Sequence, residues 1–107
     1  PAWLRRVREA LDDRYGAREL RIAELSAIAG VDPAHLARTF RAHYGTTPGA
    51  YLRETRVRRA ADALARTSAP LARIALDAGF ADQSHFTRVF RATYGITPRR
   101  WRALHAR

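Results

Sequence analysis

The chain of 107 residues suits one compact domain or two very small ones, each too small to bury a large core alone. Its formal charge of +10 is carried by 20 arginines with no lysine, a one-sided balance that points to a polyanionic partner, nucleic acid being the commonest. Cysteine is absent, which excludes disulfides, thiol catalysis and thiolate metal sites. No apolar run approaches the roughly 20 residues that span a bilayer and no signal peptide is visible, so a cytoplasmic protein is expected. The chain begins at Pro1 and enters a helical pattern almost at once, which reads as a fragment of a longer protein.

In chain order, Ala2 to Tyr15 predicts a helix with Leu4, Val7, Leu11 and Tyr15 on one stripe, Arg5, Arg6, Arg8 and Asp12 outside it, and Gly16 as its stop. Ile22, Leu25, Ile28 and Ala29 make a short second helix closed by Gly30, which can take a left-handed cap. Asp32-Pro33 opens the third with a capping carboxylate and a proline at the first helical position, where no bonded amide is lost. Its inward residues are expected to be Leu36, Thr39, Phe40, His43 and Tyr44, and its outward ones Ala34, Ala37, Arg38 and Arg41.

Gly45 ends that helix and Thr47-Pro48 starts the next, which runs to about Arg66 with Val57, Ala60, Ala61 and Leu64 on its stripe. Its alanine content predicts a stiff rod. Thr67 to Pro70 break it. A short helix then runs from Leu71 to about Ala78, Gly79 turns the chain, and Asp82 caps a helix from Gln83 to Tyr94. Phe86, Val89, Phe90, Thr93 and Tyr94 line its buried face, while Ser84, Thr87, Arg88 and Arg91 project together from the other. Thr97-Pro98 opens a last helix, from which Trp101 can pack on the second unit and Arg102 can reach back. No strand-period alternation occurs, so an all-α fold of about seven helices is expected.

One pattern is written twice. His35, Leu36, Arg38, Phe40, Arg41, Tyr44, Gly45, Thr47 and Pro48 recur fifty positions on as His85, Phe86, Arg88, Phe90, Arg91, Tyr94, Gly95, Thr97 and Pro98. Upstream, Ala29-Gly30 answers Ala78-Gly79, one position short, so the first turn has lost a residue. Short helix, turn and longer helix is helix-turn-helix spacing. The expected layout is a first such subdomain over 1–47, a linker helix over 48–66 and a second subdomain over 67–107. Small hydrogen-bonding groups followed by guanidinium forks on an exposed helix face are the chemistry that reads base edges and grips phosphates in a major groove.

The four histidines make a weak metal or catalytic case. His35 and His43 are about 12 Å apart along a helix at 1.5 Å per residue, and no carboxylate converges with a histidine at ligand spacing. With no glycine-rich phosphate loop or nucleophile elbow either, neither an enzyme, a metal nor a cofactor is expected.

The ordered set Arg56, Val57, Ala60, Leu64, Ile74-Ala75, Gly79-Phe80, Phe86, Phe90, Gly95, Thr97-Pro98, Trp101 and Arg102 resembles the paired helix-turn-helix DNA-binding domain of the AraC/XylS family of bacterial transcription regulators. The resemblance covers nearly the whole chain. It implies sequence-specific binding of double-stranded DNA in the bacterial nucleoid, through recognition helices in two successive major grooves. Base contact is expected from Gln83, Ser84, His85, Thr87 and Arg88 in the second helix and from Ala34, His35, Ala37 and Arg38 in the first. The first is the poorer in chemistry, since two of its positions carry alanine. Phosphate contact is expected from Arg41, Arg56, Arg91, Thr97 and Arg102, with Arg56 serving packing or anchoring.

The implied partners are RNA polymerase and an N-terminal sensor and dimerisation domain, and the implied role is activation. A linker helix of about 28 Å, set against grooves about 34 Å apart, predicts bent DNA or partial engagement of one unit. The competing reading is a basic helical module that docks on RNA polymerase or another acidic protein surface. RNA is disfavoured because the aromatics fall at core positions.

Overall fold

A computed structural model describes residues 1–106 of the chain. Its helices are α1 (Ala2–Asp13), α2 (Ile22–Ala29), α3 (Pro33–Tyr44), α4 (Pro48–Arg66), α5 (Leu71–Asp77), α6 (Gln83–Tyr94) and α7 (Pro98–His105). Among the described residues there is no strand. The chain divides into two compact units, Pro1–Glu54 and Thr55–Arg107.

The first unit is built on Leu4, Val7 and Leu11 of α1, Leu20, Leu25 and Ala29 of the α2 region, Leu36 and Phe40 of α3, and Leu52 of α4. The second is built on Val57, Ala60, Ala61 and Leu64 of α4, Ile74 and Ala75 of α5, Ala78 and Phe80 of the turn, and Phe86 and Phe90 of α6. Volume is exchanged between equivalent positions. Leu11 in the first unit answers Ala61 in the second, and Leu36 answers Phe86, all four lying in their unit's core.

The bounds of α4 are those read from its caps, yet it is more than a spacer. Leu52 lies in the first core and Val57 to Leu64 in the second, so one rod ends one unit and begins the other. A fainter repeat agrees with this: Val7, Arg8, Ala10 and Asp12 recur as Val57, Arg58, Ala60 and Asp62, and Tyr51 answers Trp101. The duplication therefore takes in α1 and the later part of α4, and the last helix of one unit is fused to the first helix of the next.

Matched aromatic clusters close the two cores. Phe40 meets Tyr44 at 4.7 Å and Tyr51 at 5.7 Å between ring centroids; Phe90 meets Tyr94 at 4.7 Å and Trp101 at 5.8 Å. Each cluster has its polar tip satisfied, as buried phenols and indoles require. The Tyr51 hydroxyl donates to Asp12 Oδ1 at 2.7 Å and the Trp101 indole Nε1–H donates to the Ala61 carbonyl at 3.2 Å.

Several sequence-based placements change. α1 ends at Asp13 rather than Tyr15, and Gly16 does not take the left-handed conformation found at four other glycines. The chain turns at Arg14, whose guanidinium pairs with Glu24 at 2.8 Å, while Tyr15 packs against the core. Arg8 and Asp12 are half-buried rather than outside: Arg8 lies 5.4 Å from the Tyr44 ring centroid and Asp12 holds Tyr51. His43 and Thr93, both placed inward, are exposed. They occupy equivalent places in the last turn of α3 and α6, past the buried phenylalanine, where Tyr44 and Tyr94 already fill the remaining space. Thr93 turns its hydroxyl back to the Val89 carbonyl at 2.9 Å.

The turn between α5 and α6 requires glycine. Gly79 has φ 94, its N–H donates to the Leu76 carbonyl, and the Phe80 N–H donates to the Ala75 carbonyl, both at 3.0 Å. These paired bonds form a Schellman cap and direct Phe80 into the core. A side chain at a positive φ would be strained.

Arg102 ties the second unit from within. Its Nε–H donates to the Leu64 carbonyl at 3.1 Å and its Nη2–H to the Ala69 carbonyl at 2.7 Å. One guanidinium thus satisfies an otherwise orphaned carbonyl in the last turn of α4 and holds the strap leading to α5. Two stability predictions follow from these contacts. Phe90→Ala removes a fully buried aromatic and is expected to cost about 3–5 kcal/mol in urea denaturation; native stability of that variant would contradict the face assignment. Arg102→Ala is expected to lose about 2 kcal/mol, the scale of hydrogen bonds from a charged donor. Arg102→Lys should not recover it, because an ammonium cannot span two carbonyls as the planar fork does.

Candidate nucleic-acid interface

Within each unit, burial of one flank of the recognition helix decides what the other flank presents. In α3, Leu36 and Phe40 are buried and Ala34, His35, Arg38 and Arg41 are exposed. In α6, Phe86 and Phe90 are buried and Gln83, Ser84, His85, Arg88 and Arg91 are exposed. Ala37 and Thr87 are half-buried at the margin of the face. The spacing of Ser84, Thr87, Arg88 and Arg91 puts them on one side of the helix.

The start of each helix is fixed by an aspartate. Asp32 Oδ1 accepts from the His35 N–H at 3.0 Å and Asp82 Oδ1 from the His85 N–H at 2.7 Å, each satisfying an orphan amide. The Asp32 carboxyl is held below its ordinary value chiefly by that backbone bond from His35. The two histidines also lean on aromatics of their own unit: His35 lies 5.8 Å from Trp3 and His85 5.6 Å from Phe80. Their rings are thereby positioned at the exposed entrance of each helix.

The arginines of the two faces keep their donors. Among the described residues Arg38, Arg41, Arg88 and Arg91 form no ion pair, whereas Arg14, Arg66 and Arg73 pair with Glu24, Asp62 and Asp77. A guanidinium without a carboxylate partner offers its full fork to an external phosphate or to a guanine edge.

Three expected phosphate contacts are engaged differently. Arg102 is turned inward on Leu64 and Ala69, so its fork is committed inside the protein. Thr97 caps α7, its Oγ1 accepting from the Arg100 N–H at 3.2 Å. Arg56 is half-buried, burial lowers its guanidinium pKa from the ordinary value, and it interacts within the protein.

Arg99 is not among the contacts expected from the sequence. It lines a cleft of about 270 Å³ with Leu71, Gln83, Thr87, Thr97 and Pro98, at the edge of the α6 face. The only available sequence signal was the Thr97-Pro98 cap, which starts α7 soon after α6 ends. Among the described residues no helix is long and apolar enough to cross a membrane, and no group of three metal-ligating side chains comes together.

Comparisons with known proteins agree with this architecture. A family model described as a helix-turn-helix domain matches residues 25–104. A search of curated proteins found no match. Among solved structures, a transcriptional regulator from Chromobacterium violaceum with an AraC-type DNA-binding domain is 31% identical, with a TM-score of 0.87, the alignment covering 99% of this chain and 94% of that one. The C-terminal domain of AraT, a response regulator from Geobacillus stearothermophilus, has the same fold at a TM-score of 0.95 and 23% identity, covering 100% of this chain and 88% of the other. The DNA-binding domain of AdpA, a global transcriptional factor solved in complex with a target DNA, superposes at a TM-score of 0.88 with 24% identity, over 94% of this chain and 90% of that one. The chain belongs to the AraC-type DNA-binding domains, helix-turn-helix proteins that bind DNA and regulate transcription.

Proposed function

We propose that this domain reads a specific double-stranded sequence by laying α3 and α6 in two successive major grooves. The observation that carries the proposal is the matched outward face of the two helices, each with a capped entrance, small residues in its first turns and two arginines free of carboxylate partners. Base edges are assigned to Ser84, Thr87, Arg88, Gln83 and His85 on α6, and to Arg38, His35, Ala34 and Ala37 on α3. Arg41 and Arg91, one turn further along, are assigned to phosphates. Arg99 joins them in place of the inward-turned Arg102. The AdpA domain solved in complex with a target DNA shares this fold, which supports DNA as the partner here.

The proposal extends to regulation. The AraT relative is the C-terminal domain of a response regulator, which supports a companion N-terminal domain for this chain, with sensing and dimerisation as its proposed roles. Activation through contact with RNA polymerase is proposed as the regulatory outcome that the family resemblance implies.

Alanine substitutions separate base reading from backbone grip. Arg88→Ala is expected to cost about 1–3 kcal/mol on the selected site and to relax preference at one or two base pairs. Arg91→Ala is expected to weaken all sequences alike and to reduce the salt slope by about one unit. Titrations on the selected duplex and on random duplex at several salt concentrations measure both. Equal loss on both duplexes for Arg88→Ala would mean that α6 does not read bases. Binding to an acidic protein surface with no affinity for duplex DNA would favour the docking-module reading instead.

A further inference from the structure

We infer that the two recognition helices divide specificity unevenly, α6 reading several base pairs through hydrogen bonds and α3 reading one guanine flanked by thymine methyl groups. The inference rests on the proposal that both helices enter major grooves.

The two faces are compared position by position, fifty residues apart. His35 and His85, Arg38 and Arg88, and Arg41 and Arg91 are identical pairs. The rest of each face differs in one direction only. Pro33 stands against Gln83, Ala34 against Ser84, Ala37 against Thr87, and Gly49 against Arg99. Each of the four on the α6 side can donate or accept with its side chain, and none of the four on the α3 side can.

The structure makes this contrast local. Gln83, Thr87 and Arg99 share one cleft, lined also by Leu71, Thr97 and Pro98, so polar groups of α6 and α7 converge on the second unit. In the first unit the residue matching Leu71 is Ile22, which is exposed along with Pro33 and Ala34. The first unit thus offers aliphatic side chains at the positions where the second carries its polar cleft. Gly49 is not required by the fold, since its backbone is not left-handed and a Cβ there would meet nothing within 4 Å.

On the major-groove edge the thymine 5-methyl is the apolar group that such a surface can recognise, while an arginine fork pairs best with guanine O6 and N7. Both half-sites should therefore share a guanine, placed opposite Arg38 in one and Arg88 in the other. Apart from any contact made by the histidine common to both units, the α6 half-site carries further pairs fixed by hydrogen bonds, and the α3 half-site prefers thymine without a hydrogen-bond requirement.

The test is selection from a random duplex pool with the intact domain, followed by a scan of single base changes and of uracil in place of thymine, which removes only the methyl. Arg38→Ala and Arg88→Ala, each relieving dependence on its own guanine, identify which half-site is which. Replacing either guanine is expected to weaken binding about tenfold or more. Uracil for thymine in the α3 half-site is expected to cost about two- to fourfold, the worth of one buried methyl group, and to cost nothing in the α6 half-site. There, at least two other pairs should each cost about tenfold. Ala34→Ser combined with Gly49→Arg adds polar groups on exposed surface and should give the α3 half-site a new preferred pair beside its guanine. Equal information in the two half-sites, or indifference to uracil, would overturn the inference while leaving DNA reading intact. Failure to select any sequence would overturn the reading beneath it.

Discussion

The structure depends on the burial of one phenylalanine per recognition helix. Phe40 and Phe90 have no exposed surface, and each is surrounded by a tyrosine from its own helix and an aromatic from the helix that follows. Since side chains four and eight residues apart share a helical face, fixing Phe86 and Phe90 inward leaves Ser84, Arg88 and Arg91 no direction but outward. Orientation of the arginine-bearing side is thus a by-product of core packing. Strong positive charge would otherwise oppose folding of so small a protein. By directing Arg38, Arg41, Arg88 and Arg91 away from the cores, each unit keeps that repulsion in solvent, where it is screened.

Two economies follow from the duplication. A unit of about fifty residues buries little surface, and fusing the last helix of one with the first of the next gives both cores a share of one continuous α4. The second unit also recruits Arg102, which has no counterpart in the first because Leu52 stands there as a core residue. Here a charged side chain takes over a structural task, closing the end of α4 and the strap to α5 together. The same residue type therefore serves opposite purposes within one unit: Arg102 inside, Arg88 and Arg91 outside.

What could be read from the sequence was what local chemistry decides. The bounds of α3, α4 and α6 follow from Asp32-Pro33, Thr47-Pro48, Asp82, Gly45 and Gly95, because a cap acts on amides and carbonyls within one turn of itself. The buried phenylalanines and leucines were equally legible from their spacing. What could not be read depended on neighbours distant along the chain. The half-burial of Arg8 and Asp12 reflects Tyr44 and Tyr51, the inward turn of Arg102 reflects carbonyls over thirty residues away, and the place of Arg99 reflects how α7 meets α6. His43 and Thr93 carried the right spacing but lay beyond the end of the core, a limit that periodicity alone does not contain. The early part of the repeat, from Val7 to Asp12, was masked because Leu11 and Ala61 differ in size while filling the same role.

Whether core burial turns a matched pair of arginine-bearing helix faces toward DNA is decided by amide and side-chain chemical-shift mapping on titration with a selected duplex. The largest changes, at a salt concentration where random duplex no longer binds, are expected on Ala34, His35, Arg38 and Arg41 of α3 and on Ser84, His85, Arg88 and Arg91 of α6, while Phe40 and Phe90 remain as in the free protein. Changes concentrated on α1 and α2, with the outer faces of α3 and α6 unmoved, would contradict that orientation.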